Sequence, residues 1–265
     1  MSSAEAPFLP LAEPLFEGNE WAYLKQCMDT GWVSTAGTFV ERFESELATA
    51  AGAKGAIAVN NGTAALHLAL LVEGVEPDDE VIMPAMTFTA PANAIRYCGA
   101  WPTFVDVSSE DWQIDAAQLE DFLTRACGMD RGRLVNKATG RRIAALLPVH
   151  LLGGMCDREA MAALASRFGL PLIEDAAECL GARYKGRDIA APLATGGIHI
   201  TITSFNGNKI ITTGGGGALF CDDGDVLGRA RHLCLIAKTP GVGYFHDQVG
   251  YNYRMNNLAA ALGVA

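Results

Sequence analysis

The sequence predicts an α/β fold whose mainly parallel sheet is covered by helices on both faces. Short apolar runs alternate with helical patterns along most of the chain. The runs are apolar throughout rather than at every second residue, as strands buried on both faces are. Polar and glycine-rich stretches follow them, at the sheet edge where ligands of such folds gather.

An N-terminal helical segment, residues 1–50, comes first. It carries a helical pattern over 17–30, a turn at 31–37 and a second helix over 39–48. Residues 51–250 form the large domain. The run Ala56-Ile57-Ala58-Val59 opens it as a strand, and residues 63–71 follow as a helix with a continuous apolar face. Residues 80–83 read as a strand, 91–97 as a helix, 103–107 as a strand and 116–126 as a helix. The alternation continues with a strand over 142–149, a helix over 157–168 and a strand over 172–174. Residues 198–203 and 217–221 read as two more strands, and 225–235 as a helix. Residues 251–265 begin a further helix without a C-cap, expected to lead towards a small C-terminal domain absent from this sequence.

The 265 residues suffice for one large domain or two smaller ones. Half of them are hydrophobic and 19% are charged, a globular composition. The net charge is -10 with no Lys/Arg-rich block, which argues against a nucleic-acid or anionic-membrane surface. Any anionic ligand must be held locally. The N-terminus has neither a basic start nor a long apolar run, so no signal peptide is read there. The seven cysteines are scattered without a CxxC pair, as reduced thiols of a cytoplasmic protein are. His150 and Cys156 suggest metal ligands, but no second pair completes a site.

Lys209 is the most informative residue. It sits in Ser204-Phe205-Asn206-Gly207-Asn208-Lys209, shortly before the glycine run 214–217. Burial disfavours an ammonium, and a neutral amine forms imines with carbonyl compounds or pyridoxal phosphate. The plain alternative is a surface lysine. Gly62 and Thr63 open a helix directly after a strand, where free amides and the positive dipole end suit a phosphate; an ordinary N-cap explains them equally. Phe88 follows a strand and offers either a stacking platform or a core ring. Asp175 ends a strand. It either holds a pyridinium proton or caps the next turn, and only one of Glu174 and Asp175 can face a given site. In order along the chain, Gly62/Thr63, Phe88, Asp175, Ser204 and Lys209 supply a phosphate anchor, a ring platform, a pyridine partner and an imine-forming amine.

That set resembles the fold type I pyridoxal-phosphate enzymes of the aspartate aminotransferase superfamily, and within them the DegT/DnrJ/StrS sugar aminotransferases. The matching stretches are residues 61–66, 84–93, 174–178, 204–217 and 250–256. The resemblance implies a three-layer α/β/α large domain with pyridoxal 5′-phosphate as cofactor. It implies that Lys209 forms the imine and shuttles protons, Asp175 pairs with the pyridine nitrogen and Phe88 stacks on the ring. Gly62, Thr63 and Ser204 would bind the phosphate, and Asn252 would reach it from a second subunit, making a homodimer with shared sites. Glu178 stands where many relatives have glutamine or histidine; it would touch a substrate amine or cap a turn.

The implied activity is transfer of an amino group, from glutamate, to a nucleotide-linked keto-sugar for surface polysaccharide or glycan synthesis. The stretches 31–34 and 204–209 resemble a subgroup acting on UDP-linked 4-keto-6-deoxy sugars of the legionaminic or bacillosamine type. Arg254 and Trp32 are candidate nucleotide contacts; their plain alternatives are a surface charge and a core aromatic. Two rivals remain. A dehydratase of the same family would carry histidine at position 209. A non-catalytic protein on this scaffold would carry no cofactor on Lys209.

Overall fold

In the computed structural model, residues 8–10, 12–193, 199–241 and 243–265 are described. Helices α1 (Glu20–Thr30) and α2 (Thr38–Ala51) precede strand β1 (Gly55–Val59) and helix α3 (Gly62–Val72). Strand β2 (Glu80–Pro84), helix α4 (Thr89–Tyr97) and strand β3 (Trp101–Val105) follow. Helix α5 (Ala116–Asp121) passes through a π-helical turn, Phe122–Ala126, into the hairpin of β4 (Cys127–Asp130) and β5 (Arg133–Asn136). Next come β6 (Ile143–Leu146), α6 (Arg158–Phe168), β7 (Leu172–Asp175) and a small hairpin of β8 (Arg183–Tyr184) and β9 (Arg187–Asp188). Strands β10 (His199–Ser204) and β11 (Gly217–Cys221) and helices α7 (Gly224–Cys234) and α8 (Asn257–Val264) complete the order.

Several boundaries are cut by identifiable residues. The side chains of Asn61, Asp115, Asp157, Asp223 and Asn256 each accept a backbone N–H in the first turn of the helix that follows. Gly31, Gly52 and Gly169 close α1, α2 and α6 in the left-handed conformation.

Seven strands form the main sheet, in the order β1-β11-β10-β7-β6-β2-β3. All the pairings are parallel except the two made by β11, which runs opposite to its neighbours. The expected mainly parallel sheet is therefore present, with a single reversed strand. Alternate residues feed opposite layers. Ile57, Val59, Ile173, Ile200, Ile202 and Leu219 pack under α3, α4 and α7. On the other face, Ala56, Ala58, Ala218 and Phe220 pack under α2 and α8, while Ile82, Leu146 and Leu172 pack under α5 and α6.

Some expected boundaries are corrected. The helix expected over 116–126 is α-helical only to Asp121; the wider turn beyond it delivers Cys127 in the extended conformation that opens β4. The strand expected over 103–107 starts at Trp101 and ends at Val105, because pairing with β2 runs from Glu80↔Trp101 to Pro84↔Val105. The strand expected over 142–149 ends at Leu146, and Val149 keeps one isolated bridge, to Asp175. The strand expected over 172–174 includes Asp175. Of the strand expected over 198–203, residue 198 lies outside the described residues. The two hairpins were not expected. Each turns on a residue followed by glycine, both at positive φ: Arg131-Gly132 and Lys185-Gly186.

Candidate active site

The parallel strands end on one edge, and a cavity of about 350 Å³ opens there. Its wall gathers Asn61, Gly62 and Thr63 after β1, Phe88 after β2, His150 after β6, Asp175 and Glu178 at and after β7, and Ser204 and Lys209 at and after β10. Seven of the eight residues expected for cofactor and catalysis thus share one cavity.

The eighth, Asn252, is exposed and does not line it. Its segment still abuts the site: the carbonyl of Asn252 accepts from Asn60 Nδ2 at 3.3 Å, and that of Tyr253 from the Asn60 N–H at 2.8 Å. Arg254 is corrected. It is buried, with its guanidinium on Glu44 beneath β1, so it is not a surface charge, and it does not line the cavity. Trp32 is exposed and outside the cavity; its carbonyl accepts from Asn257 Nδ2 at 2.7 Å.

The anion end is built by close approach. A Cβ on Gly62 would stand 2.9 Å from the Ser204 Cβ, and one on Gly217 would stand 2.6 Å from the Asn61 carbonyl carbon. Glycine at both positions lets α3 begin against β10 and β11. Asn61 Oδ1 occupies the Ala64 N–H at 2.7 Å. The N–H groups of Gly62 and Thr63 have no partner among the described residues, and the Ser204 hydroxyl stands beside them. Unpartnered amides at a helix start, next to a hydroxyl, fit a phosphate.

The opposite end carries the acid. Strand parity turns Asp175 to the α3 face and Glu174 to the α6 face, so Asp175 is the carboxylate that meets the cavity. Burial pushes the Asp175 carboxyl up to about 6, against the hydrogen bond from the Ala177 N–H and the nearby His150 and Lys209 charges. A desolvated carboxylate without an ion pair suits a ring cation such as a pyridinium. Phe88 leaves its ring open to solvent at the mouth, so it is not a core ring.

Lys209 is partly rather than fully buried. Its loop is closed at the base by Phe205, whose N–H donates to the Gly216 carbonyl at 2.8 Å and whose carbonyl accepts from the Thr213 N–H at 3.1 Å. Lys209 Nζ lies 3.3 Å from Glu178 Oε1, and Glu178 Oε2 accepts from the Leu152 N–H at 2.8 Å. Glu178 therefore meets both Lys209 and a turn.

Below Asp175 lies a cluster that the sequence did not reveal. The Arg158 guanidinium grips Glu174 at 2.7 and 3.0 Å with both groups fully buried, and His199 also contacts that carboxylate. Burial alone would raise Glu174; the charges of His199 and His150 and the hydrogen bond from His199 outweigh it and hold the carboxyl well below the usual range. The His150 Nε2 is 3.4 Å from Glu174 but out of line for a hydrogen bond. His150, Cys156 and Glu174 are close enough to suggest a metal triad. The guanidinium on the same carboxylate opposes a cation there, and the cluster is a buried ion pair. The asparagines 206 and 208 also line the cavity, joined at 3.0 Å, and were not singled out in the sequence. A larger cavity of about 760 Å³ at the other end of β7 has no lysine among its described lining residues.

Comparison with known proteins agrees with this geometry. The pattern of the DegT/DnrJ/EryC1/StrS aminotransferase family matches residues 15–265. The chain is 42% identical to the GDP-perosamine synthase of Caulobacter vibrioides, over 99% of this chain and 65% of that protein. It therefore spans about 65% of that relative's length. Among solved structures, 3-amino-5-hydroxybenzoic acid synthase superposes with a TM-score of 0.83 at 32% identity, covering 97% of this chain and 62% of that one. The NtdA protein of Bacillus subtilis, solved with bound cofactor PMP, superposes with a TM-score of 0.81 at 28% identity, covering 100% of this chain and 56% of that one. The phosphate end, the buried acid and the lysine fit pyridoxal phosphate, the cofactor of these aminotransferases. The chain has their fold type I architecture and belongs to the DegT/DnrJ/EryC1/StrS aminotransferase family.

Proposed function

We propose that this chain carries the cofactor site of an aminotransferase that moves an amino group from glutamate to the keto group of a nucleotide-linked 4-keto-6-deoxy sugar. The observation that carries the reading is the shared cavity of Lys209, Asp175 and the Gly62–Ser204 anion pocket. Pyridoxal phosphate, when bound, supplies an aldehyde that captures amines and a ring that takes up the electron pair of a broken C–H bond. The chain supplies the rest. Gly62, Thr63 and Ser204 would hold the phosphate. Phe88 would cover one face of the ring, and Asp175 would keep a proton on its nitrogen. Lys209 would be the amine that meets the aldehyde, and its free amine would serve as the general base and acid that moves the donor's proton. Over both halves of the cycle the donor leaves as a 2-oxo acid and the sugar ketone becomes an amine; one water is consumed and one released.

The relative's name speaks of a GDP sugar, whereas stretches 31–34 and 204–209 resemble enzymes of UDP sugars, so the nucleotide is a variable of the test. Asn252 from a second copy would reach the phosphate, which makes the functional unit a dimer. Among the described residues, no helix is long and apolar enough to cross a membrane.

The test is chemical trapping followed by a substrate panel. Borohydride reduction with pyridoxal phosphate should leave a pyridoxyl adduct on the peptide containing Lys209, and Lys209→Ala should lose both the adduct and at least about a thousandfold of turnover. The panel offers glutamate with UDP- and GDP-linked 4-keto-6-deoxy sugars and reads the amino sugar by mass. No adduct on Lys209 would refute the site assignment; no amino sugar from either nucleotide would refute the substrate class.

A further inference from the structure

We infer that Glu178 is a positioning residue that ties the amine of Lys209 to the turn at Leu152 on the rim of the cavity. The inference rests on the proposed reading of the pocket and adds a role for this chain's own carboxylate. Each oxygen of Glu178 has its own partner. Oε1 faces Lys209 Nζ at 3.3 Å, and Oε2 accepts the Leu152 N–H at 2.8 Å.

Leu152 is an unusual residue to find held this way. Its φ is 55°, a left-handed conformation that costs a branched side chain free energy and persists only where surroundings impose it. It is followed by Gly153 at φ 81°. The Leu152 side chain is 73% exposed, so packing does not impose the turn. What does is a charge-assisted hydrogen bond from its amide to the carboxylate, together with the Leu151 N–H to Gln113 Oε1 and the Gly154 N–H to the Leu151 carbonyl. Leu151 itself lines the cavity.

The groups facing the Lys209 amine are Glu178 and, more deeply, Asp175, with His150 on the adjoining loop. Asp175 has the ring nitrogen as its expected partner. Glu178 is thus the carboxylate free to fix the lysine, and fixing it also fixes the rim. The amine is aimed before the cofactor arrives, and the rim turn is set by the same side chain.

Two variants separate the two contacts. Glu178→Gln is nearly isosteric; its amide oxygen can still accept from Leu152 but offers the ammonium no charge. Glu178→Ala removes both contacts. The measurements are made on protein freed of cofactor. They are acylation of Lys209 by an amine-reactive ester, read by peptide mass spectrometry, and hydrogen exchange of the peptide covering Leu152. Glu178→Gln should raise the Lys209 acylation rate about fivefold and leave the exchange near wild type. Glu178→Ala should raise acylation and also speed exchange at Leu152 by about tenfold or more. An unchanged acylation rate in Glu178→Gln, or an unchanged exchange rate in Glu178→Ala, overturns the inference. Circular dichroism checks that both variants fold. Borohydride trapping on the wild type runs alongside: if it fails, the pocket assignment falls, whereas trapping with unchanged variant rates removes only the role of Glu178.

Discussion

At the residue scale, Asp175 shows how a site is kept ready at the expense of stability. Its folded carboxyl titrates near 6 because of burial, above the unfolded value near 3.8. A raised carboxyl binds its proton more tightly in the folded state, so ionisation costs the fold nothing below about pH 4, increasingly between there and pH 6, and fully above. That rise corresponds to roughly 3 kcal/mol at neutral pH. The cofactor-free Asp175→Asn variant should therefore be more stable than wild type at pH 7.5 by about 1–3 kcal/mol in urea unfolding, with the gap closing towards pH 4. The same variant should lose transamination, since an amide does not hold the ring proton. Arg158 gives the opposite case. Removing it leaves Glu174 buried without its guanidinium, so Arg158→Met should cost about 3–5 kcal/mol in the same assay.

At the element scale, backbone contact counts more than side-chain volume near the phosphate end. Gly217 begins β11 against the carbonyl of Asn61 and the amide of Gly62. A methyl there meets main chain that cannot swing aside. Gly217→Ala should cost about 1–3 kcal/mol and weaken cofactor binding, read by absorbance titration, because it would displace the amides proposed to hold the phosphate.

This scale also shows what could be read from sequence and why the rest could not. Uniformly apolar runs such as 56–59 and 81–83 announced buried strands, and Asn61-Gly62-Thr63 announced a helix start. The order of residues 62, 63, 88, 175, 204 and 209 announced a shared edge, because each follows an apolar run. The hairpins escaped because residues 127–136 and 183–188 are charged and show no clean alternation. Their signal lay in Arg131-Gly132 and Lys185-Gly186, where two-residue turns demand positive φ. Arg254 was misjudged because a charged residue is usually solvated, and its partner Glu44 lies 210 positions away. The Arg158–Glu174–His199 cluster joins helix and strand positions that no sequence period links.

At the scale of the whole molecule, the cavity is shared by loops from β1, β2, β6, β7 and β10, so a ligand filling it bridges most of the sheet. Pyridoxal phosphate at about one hundred times its dissociation constant should add roughly 2.7 kcal/mol to stability. It should raise the melting temperature by several degrees in calorimetry. Lys209→Ala should shrink that shift, and free phosphate alone should reproduce only a small part of it.

The reversed strand β11 has a consequence for how the molecule is assembled. Strands β10 and β11 are neighbours in sequence and can pair locally, whereas β1 must return from the far end of the chain to join them. Lys209 and Ser204 follow β10, whereas Gly62 and Thr63 follow β1, so the site spans that long-range pairing. A half-assembled chain therefore has no complete seat for vitamin B6. Uptake of the coenzyme should therefore depend on the β1–β11 pairing, which brings Gly62 and Thr63 to Ser204.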